Sequence, residues 1–113
     1  MTEATGPLSG VRVIELAGIG PGPLCGMLLA DLGAEVIQVD RPGRSVSPLP
    51  QQSDVTSRGK RRVVVDLKHP RGAEVVLRLA AASDALIEGY RPGVTERLGV
   101  GPADCLARNP ALV

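Results

Sequence analysis

Four short apolar runs alternate with stretches of helical spacing, and that alternation leaves few folds open to this chain. VRVIEL at 11–16, AEVIQV at 34–39, RVVVDL at 62–67 and ALIEGY at 85–90 each have strand length. Between the first two, Leu24, Met27, Leu28 and Leu32 recur at the three- and four-residue steps of a helix face. Pro23 suits a first turn and Gly33 a stop, so the spacing predicts a helix over 23–32. Strand, helix and strand in that order form a β-α-β unit, for which parallel pairing with a right-handed crossover is the rule. A second helix is expected over 70–82, with Val75, Val76 and Leu79 turned inward. A short helix is expected near 95–98, and a last one after GPAD, where Asp104 in the first turn complements the helix dipole.

The expected architecture is therefore α/β: a Rossmann-like parallel sheet with flanking helices. The composition agrees, because there is no Trp or Phe and only one Tyr among 113 residues. The core must come from Val, Leu, Ile and Ala, the usual filling of a sheet buried on both faces. This length supports one domain with one core. ALV at 111–113 reads as the opening of a further strand, which predicts that residues 1–113 are a single N-terminal region of a longer, truncated or excised α/β domain. Residues 41–60, rich in Pro, Ser, Gln and Gly, form a long loop without apolar periodicity, a type that is usually functional or mobile.

Several function classes fall away. A net charge of +1 and a single aromatic residue give nucleic acid neither a field nor a stacking platform. The longest apolar run, near 23–30, is too short to span a bilayer, and the N-terminus lacks a signal-like apolar segment. Cys25 and Cys105 are 80 positions apart without metal-ligand spacing, and His69 is the only histidine. Two reduced thiols in a cytoplasmic protein, with no metal site, is the expectation.

Gly18, Gly20 and Gly22 follow the first strand, and Asp40 ends the second about where a ribose-binding acid would stand. The dinucleotide motif fails in detail, however, since its third glycine falls on Pro23. Pro21 and Pro23 also remove two amide donors from the turn. A tight strand-to-helix turn is the preferred reading. His69, beside Pro70 at a helix start, is expected at the surface or as a cap. Glu15, Asp31, Glu35 and Asp66 form no evident acid pair; solvation or capping is expected for Asp31 and Glu35.

Basic residues are concentrated near the strand ends: Arg41 and Arg44; Arg58, Lys60, Arg61 and Arg62; Lys68; Arg91 and Arg97. Parallel strands can gather such residues at one crevice, where guanidinium forks grip phosphate. For Arg44, Arg58 and Lys60 taken singly, a solvated basic rim is the preferred reading.

The segments DLGAEVIQVDRP at 31–42, SRGKRRVVVDLK at 57–68 and EGYRPGVTERLG at 88–99 together resemble the N-terminal part of CoA-transferase family III, the CaiB/BaiF type. The resemblance runs over nearly the whole chain, from about Leu8. ELAGIGPGP at 15–23 and EGYRPGVTERLG are similar to segments of the family's α-methylacyl-CoA racemases; its transferases more often carry an LAGP-type turn and an FRPG-type segment. The resemblance implies contacts to coenzyme A at Arg41, at Val65, Asp66, Leu67 and Lys68, at Gly89, Tyr90 and Arg91, and at Arg97. Ile19 would lie near the thioester end, while Leu67 and Tyr90 would touch the ligand through backbone or apolar surface. It further implies epimerisation at the α-carbon of a 2-methylacyl-CoA through an enolate, within lipid and fatty acid metabolism. The catalytic His and Asp would lie beyond residue 113, so this chain would hold no catalytic residue and be inactive alone. No cofactor is implied beyond coenzyme A as part of the substrate. The implied partners are an acyl-CoA thioester and, in the complete protein, a second copy in an interlocked homodimer. The competing readings are a family III CoA-transferase and a non-catalytic module that binds CoA or a dinucleotide.

Overall fold

The computed structural model describes residues 5–43 and 53–113. Strands β1 (Arg12–Leu16), β2 (Glu35–Asp40), β3 (Lys60–Val64) and β4 (Ala85–Ile87) form one sheet in the order β3-β2-β1-β4. Every pairing is parallel, with Ile14 opposite Ile37 and Leu86, and Val39 opposite Val63. Helix α1 (Pro21–Asp31) joins β1 to β2, and α2 (Gly72–Ala81) joins β3 to β4; α3 (Val94–Arg97) and α4 (Pro102–Arg108) follow. The chain builds outward from β1 to β3 and then returns to the other side of β1. That reversal places a crevice at the carboxyl ends of β1 and β4, the usual ligand position in such sheets.

Alternation along the strands sends apolar side chains to both faces. Ile14, Leu16, Val39, Val65, Val76 and Val100 form one buried cluster, towards α2. Val13, Ala34 and Val36 form the other, with Leu29 and Ala30 of α1 packed against them. Val113 lies beside β4: its N–H donates to Asp84 O at 3.1 Å, and its carbonyl accepts from Leu86 N at 2.9 Å. The extended end read from ALV is thus seen as a single residue in parallel register.

The elements differ from the sequence reading at their edges. β3 begins two residues earlier than RVVVDL, at Lys60, and ends at Val64; as an edge strand it tolerates charged residues along its length. β4 stops at Ile87 rather than continuing to Tyr90. α1 starts at Pro21, with proline at the first helical position, and α2 starts at Gly72 rather than Pro70. In α2, Val76 is buried and Leu79 packs on the core, but Val75 is 41% exposed. The largest departure is the face of α1. Leu24, Leu28 and Leu32 are about half exposed, and Pro23, Gly26 and Met27 are the buried residues.

The cause is a polar row beneath that helix. Glu15 on β1 is fully buried, and its Oε2 accepts from Gln38 Nε2 at 2.8 Å. Lys60 Nζ lies 2.7 Å from Glu15 Oε1 and donates to the Pro23 carbonyl at 2.9 Å. The contact with Oε1 lacks hydrogen-bond alignment and is an ionic one. Gly26 passes directly over this pair, and a Cβ there would run into Glu15 Oε1. The helix therefore turns Gly26 to the sheet and Leu24 and Leu28 away. Lys60, read from sequence as part of a solvated rim, has a side chain only 2% exposed and is a core residue.

Candidate functional site

The carboxyl ends of all four strands contribute to one cavity of about 530 Å³. Ala17 follows β1, Asp40, Arg41 and Pro42 come from the end of β2, and Val65, Asp66, Leu67 and Lys68 follow β3. Tyr90 arrives from the loop after β4, and Val94 and Leu98 close one side from α3 and its end. The walls are held by short-range bonds. Val65 N donates to Asp40 O at 2.8 Å, Lys68 N to Asp66 Oδ1 at 3.0 Å, and His69 N to Asp66 O at 3.1 Å. Gly72 lets α2 begin directly under this turn, since a Cβ there would overlap the Asp66 carbonyl.

Tyr90 is pinned across the end of β1. Its hydroxyl donates to Ala17 O at 2.9 Å, and its N–H donates to Glu88 Oε2 at 2.8 Å. Burial pushes its phenol above the ordinary value of 10.0; the charge of Arg41 opposes that shift, and Asp40 and Glu88 add to it. The ring also borders a smaller cavity of about 170 Å³, lined by Gly18, Ile19, Gly22 and Gly89 among others. Tyr90 thus separates a wide chamber at β2 and β3 from a narrow one at the glycine turn.

Of the residues singled out in the sequence, Arg41, Val65, Asp66, Leu67, Lys68 and Tyr90 share the larger cavity. Ile19, Gly89 and Tyr90 share the smaller one, where Ile19 is 65% exposed. Arg91 and Arg97 line neither; both are exposed, and the Arg97 guanidinium folds back beside Gly93. Arg44 lies outside the described residues. His69 is exposed, and its Nδ1 accepts from Arg71 N at 3.0 Å, a local turn contact matching the surface reading.

Charge partnering divides the cations into two sets. Among the described residues, ion pairs involve Arg12, Arg58, Lys60, Arg61, Arg62, Arg78 and Arg108. Asp31 and Glu35, expected to be solvated or capping, keep contact with solvent and are also held by Arg58 and by Arg12 with Arg61, and these hydrogen bonds lower both carboxyls below their usual values. None of these pairs takes up Arg41, Lys68, Arg71, Arg91 or Arg97, and of these five Arg41 and Lys68 line the strand-end cavity. A cavity of about 400 Å³ along the outer edge of β4 has no basic residue in its lining, and one of about 250 Å³ beside α2 has Arg71 and Arg78 together with Glu74. The strand-end cavity is lined by two cations, Arg41 and Lys68, and two acids, Asp40 and Asp66. Sequence reasoning did not find Val94 and Leu98 as part of its wall, since apolar residues on a four-residue helix carry no signal apart from ordinary packing.

The profile of CoA-transferase family III matches residues 8–113. The chain belongs to CoA-transferase family III. Family III relatives of two kinds are similar to it. Human α-methylacyl-CoA racemase is 49% identical over 108 residues, covering 94% of this chain and 26% of the racemase. Succinyl-CoA–D-citramalate CoA-transferase from Chloroflexus aurantiacus is 39% identical over 118 residues, covering 95% of this chain and 29% of that protein. The crystal structure of a CaiB/BaiF family protein from Brucella suis superposes with a TM-score of 0.82 at 35% identity, over 96% of this chain and 32% of that one. The chain thus spans about a quarter to a third of the length of these family III proteins. Among the described residues, no group of three or more His, Cys, Asp or Glu is placed to hold a metal, and no helix is long and apolar enough to cross a membrane.

Proposed function

We propose that this chain is the CoA-thioester-binding part of an α-methylacyl-CoA racemase, with the phosphate-bearing end of coenzyme A in the larger cavity and the thioester directed towards Ile19. The observation that carries this reading is that Arg41 and Lys68, which no carboxylate pairs among the described residues, line the one cavity to which all four strand ends contribute. Arg41 and Lys68 line the cavity, while Arg91 and Arg97 stand on the loop and helix beside it, within reach of a long, multiply charged ligand. Val65, Leu67 and Tyr90 supply apolar surface, and Asp66, Gly89 and the Lys68 segment supply backbone polar groups.

In racemisation the α-proton is removed to give an enolate and returned on the other face, which needs a base, an acid and stabilisation of the oxyanion. Binding energy from the remote CoA moiety positions the acyl end for that step. Among the described residues of the cavity there is no matched acid and base, so the chemistry is assigned to parts of a longer protein and a second subunit. The 39% identity to a CoA-transferase supports a second reading, transfer of CoA between carboxylates. In heavy water, a longer protein carrying this segment should take deuterium into the α-position of a 2-methylacyl-CoA without an acceptor acid; acceptor-dependent transfer with no deuterium uptake would favour the transferase.

Calorimetry tests the binding role directly. CoA should bind the 113-residue chain, and Arg41→Ala should weaken it by about 1.5–3 kcal/mol, the worth of one charge-assisted hydrogen bond. Preference for NAD over CoA, or equal CoA affinity in the variant, would contradict the assignment.

A further inference from the structure

Asp40 ends β2, is 4% exposed and borders the larger cavity. In sheets wound in this way, an acid at the end of the second strand receives the hydroxyls of a ribose. Gripping a diol requires two free acceptor positions on one carboxylate, which has about four. Here three are already taken: Oδ1 accepts from Arg41 N at 2.9 Å, and Oδ2 accepts from Arg62 Nε at 2.9 Å and Nη2 at 2.6 Å.

Arg62 comes from β3, one strand further out, and its side chain is 37% exposed, so it reaches Asp40 from the rim of the sheet. Two of its five N–H donors point at Asp40. With Arg62 and Arg41 each +1 and Asp40 −1, the end of β2 carries a net +1. A free ribose hydroxyl finds its natural acceptor occupied there, whereas a phosphorylated ribose meets the positive charge and remaining N–H donors of a guanidinium.

We propose that Arg62 is a specificity-determining residue: by occupying Asp40 it converts the end of β2 from a reader of free ribose hydroxyls into a receiver of a phosphorylated ribose. Resting on the CoA reading above, this selects coenzyme A, which carries a 3′-phosphate, over dephospho-CoA and over unphosphorylated adenine dinucleotides.

The test measures CoA and dephospho-CoA affinity of the 113-residue chain by calorimetry, for wild type, Arg62→Gln, Arg62→Lys and Asp40→Asn. Wild type should prefer CoA by about tenfold or more, the effect of one charge-assisted contact. Arg62→Gln should lose most of that preference through weaker CoA binding, with dephospho-CoA bound as well as before or better. Asp40→Asn releases Arg62 and should keep or raise the preference, so general damage to the sheet, which lowers both alike, is told apart. If circular dichroism shows Arg62→Gln unfolded, Arg62→Lys carries the test, since an ammonium keeps the charge but loses the two-pronged geometry; its preference should also fall. An unchanged preference in a folded Arg62 variant that still binds CoA overturns the proposal and leaves the CoA reading standing. A fall of equal size in Asp40→Asn overturns it as well. Absence of binding of either ligand to wild type overturns the CoA reading and this proposal together.

Discussion

Glu15 and Lys60 show how much a single residue can hold in place under α1. Both side chains are almost wholly removed from water, and the pair ties β1, β3 and the start of α1 together. Removing one partner leaves a buried charge uncompensated, at a cost of about 3–5 kcal/mol, whereas removing the charge from both can be close to neutral. Lys60→Met should therefore lose a large part of a domain stability of about 5–15 kcal/mol. Adding Glu15→Gln to it should return most of that loss in urea unfolding; a further additive loss would show that the ion pair is not the cause. Gly26 belongs to the same arrangement. Glycine to alanine inside a helix ordinarily gains about 1 kcal/mol, but here the new methyl meets Glu15 Oε1. Gly26→Ala should instead destabilise by about 2 kcal/mol, and an unchanged or raised melting temperature would contradict the close approach. Sequence alone could not show this pair. A Glu within VRVIEL and a Lys at the head of a strand are each ordinary, and only the parallel register brings them to the same face.

The three strands β1, β2 and β3 are also tied by a surface bracket. Glu35 on β2 accepts from Arg12 Nε at 2.6 Å and from Arg61 Nη1 at 2.7 Å, and these hydrogen bonds hold its carboxyl below the ordinary 4.5. A carboxyl whose folded pKa is depressed adds stability above the unfolded value, and that stability is lost as pH falls through the folded one. Glu35→Gln should thus melt below wild type near pH 7, with the gap closing as pH falls below about 4.5. A gap that persists unchanged in acid would place the effect elsewhere than in the ion pairs. At this scale the sequence was legible where burial is two-sided. β1 and β2 sit in the middle of the sheet, and their apolar runs locate them to within a residue. β3 was read two residues late because an edge strand begins with Lys60, Arg61 and Arg62, which carry no strand signal. The leucine stripe of α1 was legible as a face, but its direction was not: periodicity says that one side is apolar, while the polar row of Glu15, Gln38 and Lys60 decides which side meets the sheet. Topology placed the cavity at the strand ends, and Arg41, the Val65–Lys68 turn and Tyr90, which the family resemblance named, line it; Val94 and Leu98 carried no such signal.

For the whole molecule, the fold, the cavity and the family membership lead to one division of labour. The 113-residue chain should bind CoA and show no racemase turnover, because the cavity offers cations and apolar walls without a matched base and acid. Incubation with a 2-methylacyl-CoA in heavy water checks this, and deuterium uptake that scales with the amount of this chain would contradict it. The most direct measurement of the central claim is a ¹H–¹⁵N NMR titration of the chain with CoA. The expected result is a saturable set of amide shifts at Ala17, Arg41, Val65, Leu67, Lys68 and Tyr90, where the strands end. Shifts concentrated instead at the opposite strand ends, around Arg12, Glu35 and Asp84, or along the outer edge of β4 at Leu112 and Val113, would contradict it.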